Sequence, residues 1–236
     1  MYTIINESKA LNVKNTMIDK VLSFIAPHPC CGCGKLQGLL CVNCKYDIVN
    51  EVFMGCIGCG GVSGVNGVCR RCIVPYSRAW CAGERSGTLQ ELIDRYKFER
   101  VREAHKVAAD LLAAILPDLP DNVVIVPVPT ISAHIRERGY DHTLLVARSL
   151  GRQLHLPVAR PLVRATQTKQ REASRSVRTA QAKQAFMAKD IDETACYLLL
   201  DDVVTTGATI KYAAKALKQA GAKDVWIAAI ARQPLH

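Results

Sequence analysis

The sequence predicts an α/β fold built on a parallel sheet, with a small zinc-ribbon-like domain ahead of it. Three observations predict this. Strand-like and helical periodicities alternate from about residue 79 onward. Tyr197-Leu198-Leu199-Leu200 is a short apolar run of the kind a parallel sheet buries on both faces. Eight of the eleven cysteines stand as four Cys-x-x-Cys pairs before residue 75. The chain therefore divides into an N-terminal extension with a short helix (1–27), a double Cys-x-x-Cys domain (28–75) and an α/β domain (76–236).

In chain order, Met1 to Asn15 carry no periodic pattern, whereas Met17 to Ile25 set Ile18, Val21, Leu22 and Ile25 on one helical face. Met17 is an alternative start to Met1. The cysteine pairs are Cys30/Cys33, Cys41/Cys44, Cys56/Cys59 and Cys69/Cys72. In a reducing compartment this spacing reads as metal binding, and four thiolates suit Zn²⁺ in a closed, structural, tetrahedral site. Redox dithiols and an iron–sulfur cluster are the competing readings. Pairing is either sequential, giving two sites, or interleaved; spacing does not decide. Glycines 58, 60, 61, 64 and 67 read as knuckle and loop residues. Cys31, Cys81 and Cys196 are left over, Cys196 being expected in the core, and His28 reads as a bystander.

The α/β part opens with a strand at Ala79 to Gly83. Helices follow at Leu89 to Phe98 and Glu103 to Leu116, ended by Pro117 and Pro120. Val123 to Val126 is a buried strand that must stop at Pro127-Val128-Pro129, because proline donates nothing to a ladder. Arg136 and Arg138 follow; they either grip a phosphate through paired N–H groups or are surface charge. Asp141 is the expected N-cap of a helix from His142 to about Leu154 that buries Leu144, Leu145, Leu150 and Leu154. Gln167 to Gln184 has almost no aliphatic residues and reads as a mobile basic loop leading to a helix or turn before Phe186. Val225 to Ile230 is the last strand.

The formal charge is +10, and seven Lys or Arg between Arg160 and Lys183 face a single acid, Glu172. That favours polyanionic partners, pyrophosphate or nucleic acid, although a solvated basic loop has the same composition. No apolar run approaches membrane-spanning length and no secretory leader is evident, so a cytoplasmic protein without membrane insertion is expected.

Chemistry concentrates after Leu200. Asp201 and Asp202 stand at the strand's carboxyl end, and Val203-Val204-Thr205-Thr206-Gly207-Ala208-Thr209 supplies hydroxyls and approachable N–H groups before a helix that runs to Gly221. A loop opening a helix is an anion cradle. Two carboxylates beside it would repel a phosphate unless they accept hydroxyl protons or help hold Mg²⁺, and a sugar diol next to a phosphate meets both demands. An ordinary strand, turn and helix with exposed acids is the bland alternative. The upstream glycine spacing of a P-loop is missing.

The stretch Leu198 to Thr209 resembles the phosphoribosyl pyrophosphate (PRPP) motif of type I phosphoribosyltransferases. The resemblance implies that Asp201 and Asp202 hold the ribose hydroxyls, that Thr205 to Thr209 wrap the 5′-phosphate, and that Pro127, Val128 and Pro129, with Arg136, Arg138 and Arg178, receive pyrophosphate. Together with the cysteine knuckles, Tyr96-Lys97-Phe98, Arg136-Glu-Arg-Gly-Tyr-Asp-His142, Gln170, Arg178 and Phe186, it is similar to the ComF family, competence-associated proteins with a zinc finger and a phosphoribosyltransferase domain. Asp141-His142 replaces the Asn-Gln frequent in that family, and Gln181 stands where it has Asn. The resemblance implies PRPP with Mg²⁺ as ligand, single-stranded DNA and other competence proteins as partners, and a role in DNA uptake. Thr205 stands where purine salvage enzymes carry an acid toward the base, and a hydroxyl is no proton acceptor at neutral pH. Two readings stand: transfer of the phosphoribosyl group to an unread acceptor base, or a non-catalytic module in which PRPP or a nucleotide is only sensed and the basic surface with the zinc finger holds single-stranded DNA or a competence partner. The oligomeric state is not written in the sequence.

Overall fold

The computed structural model describes residues 28–64, 66–164 and 186–234. The expectations for Met17 to Ile25 and Gln167 to Gln184, and for Gln170, Arg178 and Gln181, lie outside them. The elements run α1 (Val42–Asn50), β1 (Arg78–Glu84), α2 (Gly87–Lys97), α3 (Ala104–Ile115), β2 (Val123–Pro127), α4 (Ser132–Arg138), α5 (His142–Leu154), β3 (Leu162–Arg164), β4 (Phe186–Ala188), β5 (Cys196–Val204), α6 (Ala208–Gln219) and β6 (Asp224–Arg232).

Four strands form one sheet in the order β1-β6-β5-β2, every neighbouring pair parallel. The run around Leu198 explains why. Leu198 and Leu200 face a cluster with Leu92 of α2, Leu111 of α3 and Leu150 of α5, while Tyr197 and Leu199 face a second cluster with Ile210 and Leu217 of α6. A strand apolar on both faces is stable only between two covering layers. Cys196 lies in the first cluster and Cys81 in the second.

Three boundaries differ from expectation for physical reasons. β5 does not stop before the acids: Asp201 pairs in register with Ala229 and Val203 with Ala231, since β6 continues alongside as far as Arg232. Asp202 is consequently buried rather than displayed past a strand end. The segment Thr130 to His142 holds the short helix α4, closed by Gly139 in the left-handed region. Phe186 begins a strand rather than following a helix or turn, and β4 pairs antiparallel with β3 as a separate two-stranded ribbon. On α5, Leu144 and Leu150 are buried, while Leu145 and Leu154 are only half-buried.

Both outer strands of the sheet are covered by irregular chain. Along β1, Phe53 N donates to Cys81 O and Ala79 N to Asn66 O; along β2, Ile125 exchanges hydrogen bonds with Pro157 and Ala159.

Candidate functional site

The four carboxyl ends bring the site together. Asp141 caps α5 as expected, its Oδ1 accepting from Leu144 N at 3.2 Å and from Thr130 Oγ1 at 2.9 Å, which ties the Pro127 to Pro129 turn to the helix start. In that turn Val128 N donates to Leu200 O. After β5, Thr205 and Thr206 are exposed, Thr209 is half-buried, and Gly207 takes φ of +73°, a backbone that side chains disfavour. Its carbonyl accepts from Lys211 N in the first turn of α6. Ala208 N, the first amide of α6, donates to Thr206 Oγ1 at 3.4 Å, so the threonines stand at the N-terminus of α6, where helix ends favour anions.

The two acids have different surroundings. Asp202 Oδ1 accepts from Val203 N at 2.6 Å, while Oδ2 lies 2.6 Å from Lys97 Nζ and 2.7 Å from His142 Nε2. His142 Nδ1 in turn lies 3.0 Å from Arg138 Nη1. A guanidinium only donates, so Nδ1 accepts and the ring proton sits on Nε2, facing the carboxylate. Burial raises the Asp202 pKa, but the His142 contact and the Lys97 charge outweigh it and hold the group well below the usual carboxylate range. Asp201 is half-buried, and burial followed by the Asp202 charge pushes it up to about 8. Asp202 is therefore a fixed anion, and its charge together with burial makes Asp201 the weaker acid of the pair.

Aromatic contacts hold this arrangement. Tyr96 OH donates to His142 O, Tyr140 OH donates to Tyr96 O, and the two rings stack with centroids 5.6 Å apart. Arg164 of β3 lies over the Phe186 ring and donates from Nε to Pro129 O, pinning the ribbon to the turn. Lys97, His142 and Arg164 were not legible as a site from spacing; only the Tyr-Lys-Phe and Tyr-Asp-His triplets hinted at the first two. Arg136 is exposed on α4, and Arg138 is engaged with His142.

The cysteines form two sequential groups, Cys30, Cys33, Cys41 and Cys44, then Cys56, Cys59, Cys69 and Cys72, with the sulfurs of each within 4.8 Å of one another. The interleaved alternative is excluded. Sulfurs of Cys33 and Cys41 lie 3.7 Å apart and those of Cys59 and Cys69 3.6 Å. A tetrahedral ion with zinc–sulfur bonds of about 2.3 Å needs sulfurs about 3.8 Å apart, so both groups fit structural zinc. Cys41 N donates to Cys30 Sγ, the knuckle arrangement that stabilises a thiolate. His28 belongs to neither group.

A family model described as phosphoribosyl transferase domain matches residues 141–235. Competence protein ComFC of Bacillus subtilis is 29% identical over 135 residues, 56% of this chain and 55% of that protein, and competence protein F of Haemophilus influenzae is 29% identical over 61% and 68%. DNA utilization protein YhgH of Escherichia coli is 32% identical over 178 residues, 70% of this chain and 77% of its own length. The chain belongs to the ComF family. It carries that family's phosphoribosyltransferase domain on a parallel sheet, preceded by two Cys₄ clusters. Among ComF relatives the match spans little more than half of the Bacillus protein. No helix among the described residues is long and apolar enough to cross a membrane.

Proposed function

We propose that this protein binds PRPP with Mg²⁺ at the carboxyl edge and works on DNA taken up by the cell, in the cytoplasm. One observation carries the reading: the acids of β5 are followed, without a break, by exposed threonines over the N-terminus of α6. Thr205 to Thr209 take the 5′-phosphate, and the Pro127 to Pro129 turn takes the pyrophosphate with help from Arg136. Asp201 is the acid that meets the ribose diol, because Asp202 is already engaged by Lys97, His142 and Val203. Asp202 fixes the strand end on which Asp201 is presented. With Mg²⁺ present the pyrophosphate charge is partly neutralised, which lowers its repulsion from the two acids.

Binding without transfer is the second reading, favoured by a specific observation: Thr205 offers no base and Asp202 is locked in place. Relatives named for competence and DNA utilization support a DNA role, as does the net charge of +10. Calorimetric titration of PRPP with Mg²⁺ tests the ligand. Saturable binding by the wild type, weakened roughly tenfold or more in Asp201→Asn and in Thr206→Val, supports it, since lost hydrogen bonds to charged groups have that size. Absence of heat in the wild type overturns it. Pyrophosphate release with candidate bases then separates transfer from sensing.

A further inference from the structure

Among the described residues the second cysteine cluster packs on the threonine loop, whereas the first packs on α2. Gly58, inside the Cys56-Ile57-Gly58-Cys59 knuckle, packs on Gly207 so closely that a Cβ at Gly207 would lie 3.3 Å from the Gly58 Cα and 3.5 Å from its carbonyl oxygen. Ile57 is 1% exposed and sits in the same apolar cluster as Val204 and Ile210, the residues flanking the loop. The knuckle's backbone is therefore one wall of the loop.

Arg232 joins the two from below. This last residue of β6 pairs in register with Val204, the last residue before Thr205, and Gln233 N donates to Val204 O. Its side chain is 1% exposed and runs into the knuckle: Nε donates to Ile57 O at 3.1 Å, Nη1 donates to Gln233 O, and a Cβ on Gly60 would lie 3.0 Å from Nη1. Nη2 is buried with no hydrogen-bond partner, and among the described residues no carboxylate pairs with Arg232. The Phe53 ring faces the guanidinium with its centroid 5.5 Å away, which offsets part of the burial but supplies no formal counter-charge, and a buried cation needs one. Four thiolates around a divalent ion carry a net charge of −2, and this knuckle is where the guanidinium points.

We propose that metal in the second cluster holds the threonine loop in its binding shape, with Arg232 as the positioning residue that couples the two. The first cluster is a local staple. In the second, the tetrathiolate charge keeps Arg232 buried, Arg232 keeps the knuckle against β6, and Gly58 keeps Gly207 in its left-handed turn. The ligand consequence rests on the cradle reading above; the loop's order does not.

The test uses the full chain with either Cys33→Ser/Cys44→Ser or Cys59→Ser/Cys69→Ser, following hydrogen exchange of amides 203–212, zinc content and PRPP–Mg²⁺ binding. Loss of the second ion is expected to raise exchange in 203–212 by about tenfold, whereas loss of the first leaves it within about twofold. Arg232→Lys keeps a charge but not the reach to Ile57, and should lower zinc affinity of the second cluster roughly tenfold against a competing chelator, the usual size for a group supporting metal ligands. It keeps the question open to test should the cysteine variants not fold. Equal effects of the two double variants on the loop, or unchanged exchange with one zinc lost, overturn the coupling, as does unchanged zinc affinity in Arg232→Lys. Raised loop exchange in a protein whose wild type ignores PRPP supports the coupling and sinks only the ligand assignment.

Discussion

The two cysteine clusters have the same ligand set and nearly the same sulfur spacing, yet they brace different parts of the molecule. The first lies along α2: a Cβ on Gly32 would lie 3.1 Å from Thr88 Oγ1 in the first turn, and Arg95 Nη1 in the last turn donates to Pro29 O. The second sits on the threonine loop and on Arg232. What a closed metal site does beyond folding its own loop is decided by the backbone between its ligands. The first still has an indirect route to the acids, because α2, roughly 16 Å long at 1.5 Å per residue, ends at Lys97 beside Asp202.

The largest expected effect removes both clusters at once. Structural zinc contributes about 10–16 kcal/mol to the folding of small cysteine modules, so strong chelation should release two zinc ions per chain and abolish the cooperative melt of the cysteine-rich part. A measured content of one ion would show that the clusters differ in occupancy as well as in contacts. Next comes Lys97→Met, which leaves the buried Asp202 anion without its formal cation and should cost about 3–5 kcal/mol in urea unfolding. Adding Asp202→Asn should recover much of that loss, a coupling that an unrelated packing defect would not show.

A smaller effect follows from Asp201. Its pKa is raised in the folded protein, to about 8, so its contribution to stability is full below the unfolded value and is lost as pH rises through the folded one. In ligand-free protein, melting temperature should fall between about pH 4 and pH 8 through this group, modestly because the carboxyl is half exposed, and Asp201→Asn should flatten that fall. The smallest effect belongs to Arg95→Ala, which loosens the first cluster from α2 for about 1 kcal/mol. It should leave exchange in the threonine loop unchanged; a loosened loop would show that the α2 route carries coupling too.

What the sequence disclosed and what it hid divide along one line. Tyr197 to Thr209 and the cysteine spacings were legible because the signal is local: an apolar run, adjacent acids, small residues, ligands three apart. Asp141 capping α5 is of the same kind. Lys97, His142 and Arg232 were hidden because their partners lie far away in sequence, at Asp202 and Ile57, and no periodicity announces such a pairing. Three-residue strands such as β3 and β4, and the seven-residue α4, are too short to impose a pattern. The sequential pairing of cysteines was open because both arrangements satisfy the same spacings.

The hydrogen bonds from Phe53 to Cys81 and between Ala79 and Asn66 have a consequence for protein handling in the cell. They shield the outermost strand with chain that belongs to the second cluster. Without zinc that cover is released, and the outward-facing backbone groups of β1, about every second residue of the strand, become a template for sticking to another molecule. Scarcity of zinc would then show itself as insoluble material before it showed itself as lost binding.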